Sequence, residues 1–294
     1  MWKQLISRLV ADDVAPSEHT APSDYAPSSS LPAGTAATGP YTFRRDVSFT
    51  KGPRTAPYHI DASAAEASTP APLVIHLHGD GYQEYTEMAA GRPSIADRYL
   101  EVARAHGAIC VIPRTPDTSS ETWYTKSYPT KWLVALIKEI KRTYNVDTRR
   151  IFFSGFSGGA EQITYNMICD HHELLDGGGA MILGGGGADG ISFTGTPAAG
   201  LRANFPMRWF VGEHDVAGAT QPVDWSARDS AEGGAAFCRA AGFTTSTTVI
   251  PGAAHDDSEP FGPYYLNEVI NEASVGYGLP EVAAPVGINV PPGI

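Results

Sequence analysis

The stretch RIFFSGFSGGAEQ, Arg150 to Gln162, decides how the chain is read. Its first half, Ile151-Phe152-Phe153, is β-branched and aromatic and reads as a buried strand, while Ala160 onward reads as a helix. Between them stand Gly155, Phe156, Ser157, Gly158 and Gly159. A strand that turns at once into a helix forces its apex residue into a crowded backbone conformation, and small neighbours let that turn close. A serine at the apex stands exposed at a helix N-terminus, where the N–H of Gly158 can face a developing negative charge. The bland alternative is a tight turn with an incidental serine. A lone hydroxyl is a weak nucleophile, so a catalytic reading of Ser157 requires a histidine base and an acid elsewhere in the chain.

Outward from this stretch, residues 41–278 alternate short apolar runs with amphipathic segments, the pattern of an α/β domain whose mostly parallel central sheet has helices on both faces. YTFRRDVSFT and APYHID read as early strands. PLVIHLHG, AICVIPR, RIFFSGF, GAMILGG, MRWFVGE and TTSTTVIPG read as buried ones, most of them nearly continuous in apolar residues. In TKWLVALIKEIKRTY the apolar residues recur at helical spacing, with Thr130 as the expected cap. In SIADRYLEVARAHG, Ser94 and Gly107 stand at the expected N-cap and C′ positions.

The two partners that Ser157 needs follow in the order serine, aspartate, histidine. MRWFVGEHD ends a strand in Asp215, and TTVIPGAAHDD leads from the next strand to His255. Both are expected in loops at strand C-terminal ends, the edge where an open parallel sheet assembles its site. Glu213 and Asp224 are rivals for the acid, and His214 comes too early for the expected loop geometry. A second oxyanion donor is expected from the HGDG run after PLVIHLHG, at Asp80 or Gly81, beside Gly158. Trp123 and Tyr124, in the loop SSETWYTKSYPT, are candidates for stacking on a substrate.

With LHGDG, GFSGG, GEHD and GAAH in this order, the chain resembles the α/β-hydrolase superfamily, and within it the polyhydroxybutyrate depolymerase and feruloyl esterase group, over about residues 60–272. VDTRRIFFSGFSGGA is the most specific part. The resemblance implies an eight-stranded sheet and a serine hydrolase that needs no metal or other cofactor. It implies carboxylic ester substrates, cleaved through an acyl-enzyme, and leaves open whether the ester is polymeric or of the cell envelope. Ser157, Asp215 and His255 carry over as the triad, with Gly158 and the HGDG backbone as the oxyanion hole. Secreted depolymerases of this group often have cysteine in the oxyanion loop, where this chain has Asp80.

Rival chemistries explain less. HLHGD sets His76, His78 and Asp80 in a metal-like pattern, but Gly81 stands where a further histidine is needed. Asp170, His171, His172 and Glu173 close a helix, where histidines suit the dipole. The glycine runs at 177–179 and 184–187 lack a phosphate-loop lysine and read as close backbone packing. The formal charge of −11 on 294 residues, with no basic stripe, argues against a nucleic-acid partner. Three cysteines, Cys110, Cys169 and Cys238, lack metal-ligand spacing.

No apolar run is long enough for a transmembrane segment, and MWKQLISRLV makes a poor secretion signal, so a soluble protein is expected, with its location open and export or a place in a virion among the options. Residues 1–40 read as a low-complexity arm or linker, because 22 of the 30 residues from Ala11 to Pro40 are Ala, Pro, Ser, Thr or Gly. Residues 279–294 read as a proline-rich tail lying extended on a surface. The arm motivates a different reading, in which a hydrolase-like fold is a structural or binding module of a phage tail or cell-surface particle and the arm docks on a partner protein.

Overall fold

The computed structural model describes residues 41–219 and 222–292. The expected arm, residues 1–40, lies outside them. Eight strands form one sheet: β1 (Phe43–Lys51), β2 (Arg54–Asp61), β3 (Ala71–Leu77), β4 (Ile109–Pro113), β5 (Val146–Phe156), β6 (Gly178–Leu183), β7 (Met207–Gly212) and β8 (Thr245–Ile250). Their spatial order is β1-β2-β4-β3-β5-β6-β7-β8. β1 and β2 pair antiparallel, as do β2 and β4, and every later pairing is parallel. All eight segments read as strands in the sequence are strands, but β8, expected to be buried, lies at the sheet edge with only Ile250 of Thr245–Ile250 buried.

The helices are α1 (Gln83–Ala89), α2 (Ile95–Ala105), α3 (Ser127–Thr143), α4 (Gly158–Gln162), α5 (Ala199–Ala203), α6 (Ala227–Ala240), α7 (His255–Ser258) and α8 (Gly262–Gly276). Alternation along the strands divides the core into two layers. Leu73, Ile75 and Leu77 pack with Trp132, Leu136 and Ile140 of α3 and with Ala231 and Ala235 of α6. Val74, Phe152 and Met181 face the other way, onto Leu100 and Ala103 of α2 and Val269 and Ile270 of α8. Each Leu or Ile buried in this way stabilises the fold by about 1.5–3 kcal/mol. The inner strands of the sheet are therefore sealed on both faces, which leaves the loops at the strand ends as the place for a site.

Helix ends follow local chemistry. Ser94 caps α2: its Oγ accepts from Ala96 N–H at 3.1 Å while Asp97 Oδ2 accepts from Ser94 N–H at 3.1 Å. Gly107 follows that helix with φ +62, as its C′ role requires. Thr130 is not the cap of α3. The helix begins three residues earlier, with Lys126 in extended conformation as N-cap and Pro129 accommodated in the first turn. Thr130 points inward instead, its Oγ1 accepting from Gln162 Nε2 at 3.1 Å. The segment after residue 278 returns over α8, where Asn271 Oδ1 accepts from Val282 N–H at 2.8 Å and Ile288 is buried.

Candidate active site

β5 delivers its chain directly into α4, and Ser157 sits at the junction with φ 50 and ψ −115, a conformation costly for any residue with a Cβ. Two glycines make this crossing possible. A Cβ at Gly155 would lie 2.6 Å from the carbonyl carbon of Gly159, and one at Gly159 would overlap the carbonyl oxygen of Leu77 in β3. The serine N–H is anchored to Leu183 O of β6 at 2.9 Å. From Ile163 the helix expected after Ala160 continues as a π-helical turn, Ile163–Ile168.

The structure brings Ser157, His255 and Asp215 together at the C-terminal edge of the sheet. His255 Nε2 lies 2.9 Å from Ser157 Oγ, and His255 Nδ1 lies 2.6 Å from Asp215 Oδ2. Asp215 follows β7 and is fully buried, and among the described residues its Oδ1 has no partner. His255 stands at the first position of α7 rather than in a loop, and its carbonyl accepts from Ser258 Oγ at 2.7 Å. Its ring is flanked by Phe156 at 4.9 Å and by the edge of Trp225 at 5.6 Å. The rival acids lie elsewhere: Glu213 is exposed and accepts from Gly252 N–H at 2.9 Å, and Asp224 is exposed.

The HGDG loop lies beside Ser157 and is held from below. Both carboxylate oxygens of Glu84 accept from Gly79 N–H at 3.2 Å. Burial works against the charge of Glu84, yet His76, His78 and the Gly79 amide hold its pKa below the ordinary value. Of the two expected oxyanion donors, Gly81 is committed elsewhere, because its N–H donates to Glu121 O at 3.1 Å. Among the described residues none accepts from Asp80 N–H or Gly158 N–H.

Both ring nitrogens of His78 are used by the protein, against the metal reading. Nε2 accepts from Thr115 N–H at 3.0 Å, and Nδ1 donates to Gly79 O at 2.6 Å. This is neutral imidazole, and burial lowers its pKa to about 4. Among the described residues no group of three His, Cys, Asp or Glu side chains is arranged for a metal.

Trp123 does not stack on a substrate in this structure. It is fully buried in the core against the His78 ring at 4.9 Å and turns no face to solvent. Its neighbour Tyr124 does reach the site, donating from Oη to Asp80 Oδ2 at 2.9 Å. The loop carrying both is stiffened by Asp117, which accepts from Ser119, Ser120 and Lys126. Although Asp117 is buried, those donors hold its carboxyl far below the usual range.

Sequence reasoning missed Glu161, one turn past Ser157. It is buried, and it accepts from Gly186 N–H at 3.1 Å, Gly187 N–H at 3.0 Å and Ser230 Oγ at 2.8 Å. Burial raises its pKa, opposed by these three donors. It ties the loop after β6 to α4 and α6. Trp225 was missed as well, since nothing in the local sequence places it against His255.

Strand order, parallel pairing and the Ser157 junction define the α/β-hydrolase fold, and the comparisons with known proteins agree. No protein-family model matches the chain. One hundred residues are 33% identical to the bifunctional acetylxylan esterase/xylanase XynS20E of Neocallimastix patriciarum, a match spanning 33% of this chain and 14% of that protein. Among solved structures, a thermostable esterase superposes with a TM-score of 0.53 at 21% identity, covering 80% of this chain and 62% of that one. LpqC, a poly(3-hydroxybutyrate) depolymerase from Bordetella parapertussis, superposes with a TM-score of 0.52 at 17% identity, covering 83% of this chain and 93% of that one.

Proposed function

We propose that the chain is a serine hydrolase that cleaves carboxylic esters through an acyl-enzyme. The observation that carries this reading is the unbroken run of hydrogen bonds from Ser157 Oγ through His255 to Asp215 at a strained strand-to-helix junction. Asp215 fixes the tautomer with the proton on Nδ1, leaving Nε2 to take the proton of Ser157 as its oxygen attacks the ester carbonyl. The carbonyl oxygen becomes an anion that receives hydrogen bonds from Gly158 N–H and Asp80 N–H. Each such donor contributes roughly 3–4 kcal/mol in the transition state. Protonated His255 then gives its proton to the departing alcohol, and water repeats the sequence on the acyl-serine.

The similarity to an acetylxylan esterase and to a poly(3-hydroxybutyrate) depolymerase supports ester bonds as the target. The test is a fluorophosphonate probe together with p-nitrophenyl acetate. We expect hydrolysis and labelling of Ser157, both abolished in Ser157→Ala. Absence of both in the unaltered protein overturns the reading.

A further inference from the structure

Asp80 occupies an unusual place for a charged side chain. Its Oδ1 lies within overlap distance of where a Cβ on Gly158 would stand, directly beside the backbone that follows Ser157, and Tyr124 Cε1 is 3.1 Å from the same point. The glycine at 158 leaves room for this carboxylate. Tyr124 Oη donates to Oδ2 at 2.9 Å and fixes its orientation, while among the described residues Oδ1 receives no hydrogen bond. Tyr124 is itself held by the Asp117 loop and by the buried Trp123 next to it. An oxygen without a hydrogen-bond partner among the described residues therefore stands at the mouth of the site, on the residue whose side chain crowds Gly158 next to the nucleophile.

Such a group opposes catalysis unless the substrate answers it. A carboxylate close to a developing oxyanion raises the barrier, and a bound ester that covers Oδ1 without offering a donor strips its water and returns nothing. An anionic substrate is repelled, the more so because Glu84 and Glu161 lie behind the same carboxylate. A substrate hydroxyl satisfies Oδ1 without bringing opposing charge.

We propose that Asp80, braced by Tyr124, is the specificity-determining residue of this site, with Oδ1 accepting a hydrogen bond from a substrate hydroxyl on a carbon close to the scissile ester. The proposal rests on the ester-hydrolase reading above. It makes hydroxyl-bearing esters, such as partly acylated polyols, better substrates than alkyl esters of the same size. A site built to bond a substrate hydroxyl can reject the analogue that lacks it by large factors, and Asp80 stays open to water on its outer side, so about tenfold is expected.

The ionisation of Asp80 gives an independent handle. Crowding at the junction pushes its carboxyl up to about 6, against the Tyr124 hydroxyl and His255, which favour the charged form, and with Glu84, which disfavours it. Asp80 is thus neutral below about 6 and a full acceptor above it, so the preference for hydroxyl-bearing esters grows as pH rises through that value.

The experiment compares kcat/KM for glycerol monoacetate with propyl acetate, which places the hydroxyl on the alcohol side, and for ethyl 3-hydroxybutyrate with ethyl butyrate, which places it on the acyl side. At least one pair should show a ratio of about ten. That ratio should increase from pH 5 to 8, fall towards one in Asp80→Ala and fall part of the way in Tyr124→Phe. Should Asp80→Ala fail to fold, the pH course of the unaltered protein and the Tyr124→Phe ratio still decide. Ratios near one in both pairs, or a ratio unmoved by pH and by both variants, overturn the proposal while p-nitrophenyl acetate hydrolysis leaves the hydrolase reading standing. Failure to hydrolyse any ester or to label Ser157 defeats that reading instead.

Discussion

Replacing Glu161 by glutamine tests whether this buried carboxylate positions the loop under His255. The side chain has three donors, Gly186 N–H and Ser230 Oγ on Oε1 and Gly187 N–H on Oε2. Glutamine in its best orientation keeps its carbonyl on Gly186 and Ser230 and turns its NH2 group towards Gly187 N–H. One charge-assisted bond is lost and two donors face each other. A hydrogen bond to a charged group is worth about 1.5–3 kcal/mol, and relief from burying the charge offsets part of the loss, so about 2 kcal/mol is expected. For a domain of this size that lowers Tm by about 4–8 °C. The loop also carries Gly184, where a Cβ would lie 3.2 Å from His255 Cε1, so its displacement reaches the imidazole and lowers kcat more than it raises KM.

Calorimetry across pH adds a signed check. Because burial raises the Glu161 pKa, the folded state holds its proton to higher pH than the unfolded chain does. The stability contributed by that proton is complete below the ordinary glutamate value and declines as pH rises to the raised one. Glutamine does not titrate, so the gap between the two proteins narrows as pH rises through that window. Equal Tm and equal kcat in Glu161→Gln would refute the positioning role, and a gap that widens with pH would refute the electrostatic account.

Ser157→Ala and His255→Ala are each expected to lower kcat by about 10⁴–10⁶, with the double variant no slower than either, and Asp215→Asn by about 10⁴. Near-full activity in Asp215→Asn, measured on p-nitrophenyl butyrate, would remove Asp215 from the mechanism. Gly159→Ala sets a Cβ against the backbone of Leu77 and His78 and should lower Tm by more than about 10 °C or prevent folding. In Gly158→Ala the nearest atoms to the new Cβ belong to the side chains of Asp80 and Tyr124, so it should fold, as thermal melts will show, but with Asp80 displaced and the hydroxyl preference reduced. Burial and the charge of Glu84 raise the Glu259 carboxyl to about 8, so its contribution to stability is complete below the ordinary glutamate value and gone above about 8. Glu259→Gln should therefore flatten the decline of Tm over that interval, and an unchanged slope would argue against it.

The fold was legible because its physics is local and repetitive. A parallel strand covered on both faces must be apolar at nearly every position, and PLVIHL and RIFFSGF announce this directly. Ser94 and Gly107 were equally plain, since a cap is a contact between neighbours. Thr130 was misread because its hydroxyl had two possible partners, the start of its own helix and the distant Gln162, and only tertiary packing chooses between them. The π-helical turn at Ile163–Ile168 was hidden for a related reason: apolar spacing reports which face is buried and carries no trace of one residue more in a turn.

The site divides along the same line. Ser157, Asp215 and His255 stand out because each follows a readable strand at the same sheet edge, so their meeting is a consequence of topology. The residues that shape the site around them depend on contacts between segments far apart in the chain. Gly81 and Asp80 are equivalent in the sequence until Glu121 places its carbonyl on one amide and not the other. Trp123 and Tyr124 are adjacent aromatics in one loop, and the turn built around Asp117 sends the first into the core and the second to Asp80. Glu161 reads as an ordinary helix-surface residue until Gly186 and Gly187, with no side chains to intervene, bring their amides onto it. Topology thus accounts for the meeting of the three groups proposed to react, and the long-range polar contacts account for the surroundings in which a substrate would have to fit. Substitutions at Asp80, Tyr124 and Glu161 should accordingly alter selectivity and positioning, while those at Ser157, His255 and Asp215 should remove the reaction itself.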